Sequence, residues 1–97
     1  MTRAEAFRDR VSQWLVEHVR DGARIVVRRR ERTDENGGEI VAPIFTRSTR
    51  PHRLELSRLI LTAIVHDARR APPSATYEVT VLGSPERLQV GLASHLL

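Results

Sequence analysis

The sequence predicts an α+β domain in which two helices pack on one face of a small, mostly antiparallel sheet, in the order α-β-β-α-β-β. Three observations lead to this prediction: an amphipathic helical segment near the N-terminus, two alternating segments around an Asn-Gly turn, and a long apolar helical segment in the middle. A length of 97 residues corresponds to one domain, residues 1–97, because a second hydrophobic core would not fit.

The first helix is predicted by apolar residues that recur every three or four positions from Ala4 to Val19. Thr2 and Glu5 have the spacing of an N-terminal capping box, in which each residue's side chain bonds the backbone of the other. Gly22 is expected to end the helix, since glycine readily adopts the conformation that follows a last turn.

The next two segments predict a β-hairpin with an arginine-rich first arm. Ile25 and Val27 fall on one face of that arm, whereas Arg28 and Arg30 fall on the opposite face. An acidic stretch that ends in Asn-Gly-Gly follows, and its composition is typical of a turn. Because Pro43 has no N–H for a sheet ladder, the second arm is expected to lie at a sheet edge or to carry a bulge.

A second helix is predicted between Pro51, which suits its first position, and the Pro72-Pro73 pair that ends it. Its apolar residues form two adjoining stripes, a wider arc than a helix resting on one sheet face requires. The first stripe consists of Leu56, Ile60, Ala63 and Ile64, and the second of Leu54, Leu61, Val65 and Ala68. In one interpretation this is the central core helix, covered on both sides by its own chain. In the other, one stripe contacts a partner subunit. The candidate interface residues are Leu54, Leu61 and Val65.

The last quarter of the chain has two interpretations. Residues 75–82 alternate as a third strand, and residues 87–92 alternate again and favour a fourth strand after a turn. The last few residues are then expected to be irregular or helical. In the rival interpretation, Ser84 caps a C-terminal helix that begins at Pro85 and replaces the fourth strand.

Positive charge is concentrated in the middle of the chain. Residues 24–58 contain nine arginines and five acidic residues, which accounts for the whole formal net charge of +4. All 16 basic residues are arginine, a pattern that fits either a G+C-rich genome or selection for bidentate contacts with phosphate or carboxylate groups. The arginines predicted to bind a partner or phosphate are Arg28, Arg30, Arg32, Arg47, Arg50 and Arg53.

Composition argues against catalysis. The chain has no cysteine, which excludes disulfide scaffolds, thiolate zinc sites and thiol catalysis. It also has no lysine and no glycine-rich phosphate loop, and its histidines have neither metal-ligand nor catalytic-dyad spacing. We therefore expect a non-enzymatic protein with no catalytic, cofactor or metal site.

Hydropathy predicts an intracellular, cytoplasmic protein without membrane contact. The longest apolar run, from Leu59 to Val65, is far shorter than the ~20 residues that span a bilayer. The N-terminal residues carry charge at once, unlike the apolar stretch of a signal peptide.

Two function classes remain. The favoured one is a protein–protein interaction module, such as an adaptor, inhibitor or assembly subunit, that uses the arginine-rich hairpin and the apolar second helix. Its partner would be another protein or a second copy, and by analogy it would resemble the small subunits of phages and mobile elements. The alternative is a nucleic-acid-binding protein that contacts phosphates through the hairpin. Against it, Phe45 is the only aromatic residue there, and acidic residues occupy the turn.

Overall fold

The computed structural model describes residues 2–33, 37–50 and 53–95, with the side chains of Arg53 and Leu54 excepted. The four strands form one sheet in the order β2-β1-β3-β4, and every neighbouring pair is antiparallel. The predicted fold class and element order are confirmed. The elements are α1 (Arg3–His18), β1 (Arg24–Arg32), β2 (Glu39–Ser48), α2 (Arg53–Ala68), β3 (Thr76–Val81) and β4 (Arg87–Leu92).

The C-terminal segment is a strand and not the rival helix. β4 pairs with β3 along its whole length, and a single 3₁₀ turn, Ala93–His95, follows it. Ala93 is fully buried and its N–H donates to the Ala75 carbonyl, which fastens the end of β4 to the start of β3.

The N-terminal cap of α1 is confirmed, whereas its C-terminus differs from the prediction. The Glu5 N–H donates to Thr2 Oγ1 at 3.1 Å. The helix ends at His18, because Val19 leaves it with extended backbone and becomes buried in the core. Gly22, with a φ of +87°, instead forms the turn that leads into β1.

Both helices lie on one face of the sheet and share a single hydrophobic core with it. β1 and β3 contribute alternate residues, since successive side chains of a strand point to opposite faces. The core includes Val11 and Leu15 of α1, Ile25 and Val27 of β1, Ile60 and Ile64 of α2, and Val79 of β3, all fully buried.

Most of the first apolar stripe of α2 belongs to this core. Leu56, Ile60 and Ile64 recur every four residues and are at most 2% exposed. Ala63 of the same stripe is half-buried.

The described residues of the second stripe are divided between core and surface. Ala68 is also buried in the core. Leu61 and Val65 are half-buried, and Leu61 packs against the edge of the core. The core-helix interpretation therefore holds for most of the first stripe and for Ala68, while Leu61 and Val65 keep part of their surface exposed.

β2 has both features that Pro43 predicts. It is an edge strand of the sheet. Its pairing with β1 also shifts register, because Val27 faces Phe45 whereas the next residue, Arg28, faces Pro43. Ile44 is therefore the extra residue of a β-bulge.

Replacing Ile60 with alanine tests the core assignment of α2. Since Ile60 is fully buried, the Ile60→Ala variant is expected to lose about 2–5 kcal/mol of unfolding free energy, measured by urea denaturation. Thr62→Ala, at an exposed position of the same helix, is the control and should change the free energy by less than about 0.5 kcal/mol. Equal effects of the two substitutions would contradict the assignment.

Candidate interaction surface

The face of the sheet opposite the helices, called the outer face below, is built from alternate residues of all four strands. Arg29 of β1 hydrogen-bonds Asp67 of α2 and therefore points toward the helices. Its neighbours Arg28 and Arg30 consequently point to the outer face. Strand pairing extends this face across the sheet, where Arg28 lies opposite Glu78. Five arginines and two carboxylates belong to it: Arg24, Arg28, Arg30, Arg32, Arg87, Glu39 and Glu78.

The Glu78 carboxylate lies at the centre of the outer face and is nearly inaccessible to water. Its side chain is 1% exposed, although no helix of the described chain packs over it. Arg30 donates to one carboxylate oxygen at 3.0 Å, and Gln89 donates to the other at 3.3 Å. Arg87 completes the cluster at 3.9 Å. Side chains of the outer face itself therefore bury this charge and satisfy its hydrogen bonds.

Arg30 is committed to internal ion pairs. Its hydrogen bond to Glu78, together with the charge of that carboxylate, raises the pKa of the Arg30 guanidinium above its usual value. A second carboxylate, Glu39, lies 3.4 Å away. By contrast, Arg28 and Arg32 have no ion-pair partner among the described residues, so their charges stay available to a binding partner.

The structure separates the remaining predicted arginines from the outer face. Arg47 pairs with Ile25 across β1 and β2, and it therefore lies on the helix side of the sheet edge. Arg50 lies beyond β2, where its Nε is 3.4 Å from Asp21 and both side chains are exposed. Arg53 begins α2, and its side chain, like that of Leu54, lies outside the described part of the structure. Of the six arginines, three share the outer face: Arg28, Arg30 and Arg32.

A second charged cluster, on the helix side of the sheet, ties α2 to the two central strands. Asp67 of α2 accepts from the Arg29 guanidinium on one oxygen and from the Tyr77 hydroxyl on the other, both at 2.6 Å. Glu31 lies 3.6 Å from the Nε of Arg29. This cluster was not among the sequence-predicted sites. One feature of the sequence could have predicted it. Arg29 falls on the same strand face as the apolar Ile25 and Val27, and an arginine on a buried face requires a carboxylate partner.

Tyr77 and Arg29 have their charge states fixed by this cluster. Burial of the phenol is the main cause that raises the pKa of Tyr77 well above its usual value, and its hydrogen bond to Asp67 is the second. The hydrogen bond to Asp67 also raises the pKa of Arg29. At neutral pH the phenol is therefore a neutral donor and the guanidinium a cation. The carboxylate holds both of them.

Sequence reasoning also missed the Glu78 cluster on the outer face, because Glu78, Arg87 and Gln89 were not among the predicted site residues. The alternation of Thr76, Glu78 and Thr80 with apolar residues shows that these three share a polar face. Which strand lies beside β3, and in which register, is not encoded in that local pattern. The contact between Glu78 and Arg30, 48 residues apart, therefore emerges only from the fold.

The described ranges contain neither a candidate metal site nor a helix that could span a membrane. Their His, Asp and Glu side chains form no group of three or more that could hold a metal ion. No helix there is long and apolar enough to cross a membrane.

Comparison with known proteins adds no family. No protein-family model matches the chain, and neither a curated protein nor a solved structure matches it. Function is therefore inferred from the residues and their geometry.

Tyr77 is expected to make folding stability fall at alkaline pH. Above pH ~10 the unfolded chain loses its phenolic proton while the folded chain keeps it, because burial raises the folded-state pKa. The folded state then binds more protons, and the unfolding free energy falls by about 1.4 kcal/mol per pH unit. Urea denaturation at a series of pH values measures this slope.

Tyr77→Phe is the matched control and should abolish the alkaline slope. Since the chain has one tyrosine, its phenolate absorbance reports the same group directly. Phenolate that forms near pH 10 while the protein remains folded would contradict the buried cluster.

Proposed function

We propose that this protein is a non-enzymatic interaction module whose outer face binds an acidic surface of a protein partner. The observation that carries the proposal is the excess of arginine over carboxylate on a sheet face that no described helix covers. Arginine is enriched in protein interfaces, where its planar guanidinium forms bidentate bonds with carboxylates. Arg28 and Arg32 would make these bonds.

Carboxylates among the arginines favour a protein partner over nucleic acid. Glu39 is half-exposed opposite the end of β1 and would repel the unbroken row of phosphates of a nucleic acid, whereas Glu78 is buried and paired with Arg30. A protein surface, in contrast, presents both signs of charge and can match this pattern. Val41 and Pro43 add exposed apolar area on the same face.

The outer face also lacks a platform for nucleic-acid bases. Base stacking requires aromatic side chains, and the chain has four in all, Phe7, Trp14, Phe45 and Tyr77. Trp14 and Phe7 belong to α1, and Tyr77 and Phe45 pack in or against the core on the helix side. Backbone phosphates alone would therefore have to supply any affinity for nucleic acid.

Charge reversal on the outer face tests the proposal. We expect the Arg28→Glu/Arg32→Glu variant to bind a fluorescent polyglutamate peptide about tenfold more weakly than the wild type, in anisotropy titrations. This factor corresponds to ~1.4 kcal/mol, a reasonable loss for two partly solvated ion pairs. Arg8→Glu/Arg69→Glu makes the same charge change at exposed helical and turn positions and should bind like the wild type.

A duplex DNA oligonucleotide is the competing probe in the same titrations. Tighter binding to DNA than to polyglutamate, with an affinity that falls steeply with salt, would contradict the proposal and favour the nucleic-acid alternative. Equal weakening of polyglutamate binding in both double variants would show that net charge, rather than the outer face, governs binding.

A further inference from the structure

We propose that β2 pairs with β2 of a second copy, which joins the two sheets into one continuous eight-stranded sheet. This pairing uses the edge of the sheet, not the outer face, and it does not depend on the proposed function. Three features of the sheet support this pairing: the free backbone groups of β2, the exposed side chains beside them, and the shorter, covered edge on the opposite side.

Near its start, β2 directs the backbone groups of Glu39 and Val41 away from the sheet. The Thr33 N–H donates to the Gly38 carbonyl at 2.9 Å, so Thr33 and Gly38 are a hydrogen-bonded pair at the end of the β1–β2 ladder. Bonded and non-bonded pairs alternate along an antiparallel ladder. Glu39 and Val41 are therefore non-bonded toward β1, and their N–H and C=O groups point to the free edge. Pro43 falls in the same set, so its missing N–H costs β2 no bond to β1.

Near its end, β2 also directs the backbone groups of Thr46 and Ser48 away from the sheet. The Thr49 N–H donates to the Ala23 carbonyl at 2.9 Å, and the alternation counted from this pair leaves Thr46 and Ser48 facing outward. No hydrogen bond from another described element takes these outward backbone groups.

A twofold axis perpendicular to the sheet matches these groups with each other. In this arrangement Glu39 lies opposite Ser48 of the second copy and Val41 lies opposite Thr46. Each of these two pairs consists of two outward residues and exchanges two hydrogen bonds. The symmetry repeats both pairs on the other side of the axis. All four positions belong to the outer-face side of β2, so the outer faces of both copies point the same way.

The proline falls on the axis in this register, and the bulge lies beside it. Ile44 and Phe45 together face the single residue Val27 and so count as one position of the strand. The two outward pairs therefore centre the axis on Pro43, which faces Pro43 of the second copy. Proline can donate no bond there, and the bulged residue directs its N–H toward β1. Pro43 and the bulge at Ile44 thus lie at the centre of the proposed ladder, where no hydrogen bonds form between the two copies.

Side chains beside the free edge are suited to burial. Ile40 and Val41 are two of the four large hydrophobic residues that stand out as exposed among the described residues, at 47% and 43%. In the twofold register, Ile40 lies beside the aliphatic stem of Arg47 of the second copy, and Val41 lies beside Thr46. No two charges of like sign face each other directly, a condition that cross-strand pairing requires.

The opposite edge of the sheet is shorter and more fully covered than that of β2. β4 is only six residues long, and a register shift makes Val90 a bulged residue beside Gly91. The Gln89 carbonyl already accepts a hydrogen bond from the Arg10 guanidinium. Natural sheets use short, bulged and covered edges in this way to prevent pairing. β2 also has a bulge and a proline, but both fall at the proposed axis, and its ten residues leave a regular segment on either side to pair.

The mass of the protein in solution tests the pairing. Light scattering after size exclusion should give a mass that rises from 11 kDa toward about 22 kDa with concentration, since the chain weighs 11.0 kDa and edge pairing forms a small interface. Val41→Lys, a charge at the free edge, should hold the mass at 11 kDa with an unchanged circular dichroism spectrum. Leu82→Lys, at a position 61% exposed and away from β2, is the control and should dimerise like the wild type.

Amide hydrogen exchange tests the register. In the dimer, the N–H groups of Glu39, Val41, Thr46 and Ser48 should be protected, and that protection should disappear on dilution and in Val41→Lys. A mass of 11 kDa at every concentration would overturn the proposal. So would a dimer in which these four amides exchange rapidly, because such a dimer would use another surface. Normal dimerisation of Arg28→Glu/Arg32→Glu would show that face and edge act separately.

Discussion

The Asp67 carboxylate connects the two layers of this fold. It sits at the end of α2 and accepts hydrogen bonds from Arg29 of β1 and Tyr77 of β3, the two central strands. Without it the buried phenol would lose its hydrogen-bond acceptor and the half-buried guanidinium would keep only Glu31, 3.6 Å from its Nε. Such losses cost several kcal/mol. Apolar packing holds the helices against the sheet without much directional preference. The cluster fixes the position of α2 along the strands, because Asp67 can bond both Arg29 and Tyr77 at only one such position.

β1 transmits this constraint to the outer face. Once Arg29 is fixed toward the helices, Arg28 and Arg30 must point the other way. Arg30 then meets Glu78, and their ion pair is part of the structure rather than free surface charge. The ion pair also orders the outer face, because the buried carboxylate holds Arg30 in place. Arg28 and Arg32, on the same side of β1, have no ion-pair partner among the described residues. A partner would thus encounter a partly preorganised arginine row, which lowers the entropy lost on binding.

The sequence predicted those features that depend on local chemistry. The cap at Thr2, the alternation of β1 and the edge position implied by Pro43 are all confirmed, because each depends on residues adjacent in the chain. Features that depend on strand order were beyond it. Asp67 and Glu78 acquire their partners only when β3 is placed beside β1, and no local pattern specifies that neighbour. Gly22 shows a different limit: a helix can end before its glycine when a residue such as Val19 gains more by burial in the core.

The proposed edge pairing and the proposed face binding are compatible, because β2 separates the paired edge from the arginines of β1. In the proposed eight-stranded sheet, the β1 strands of the two copies would lie three strand spacings apart, about 14 Å. This distance exceeds the ~8 Å Debye length at physiological ionic strength, so the two arginine rows repel each other weakly. The outer faces nevertheless point the same way and form one continuous surface. An acidic partner that spans both rows would bind the second at high effective concentration, so the dimer would bind it more tightly without any new contact within either copy.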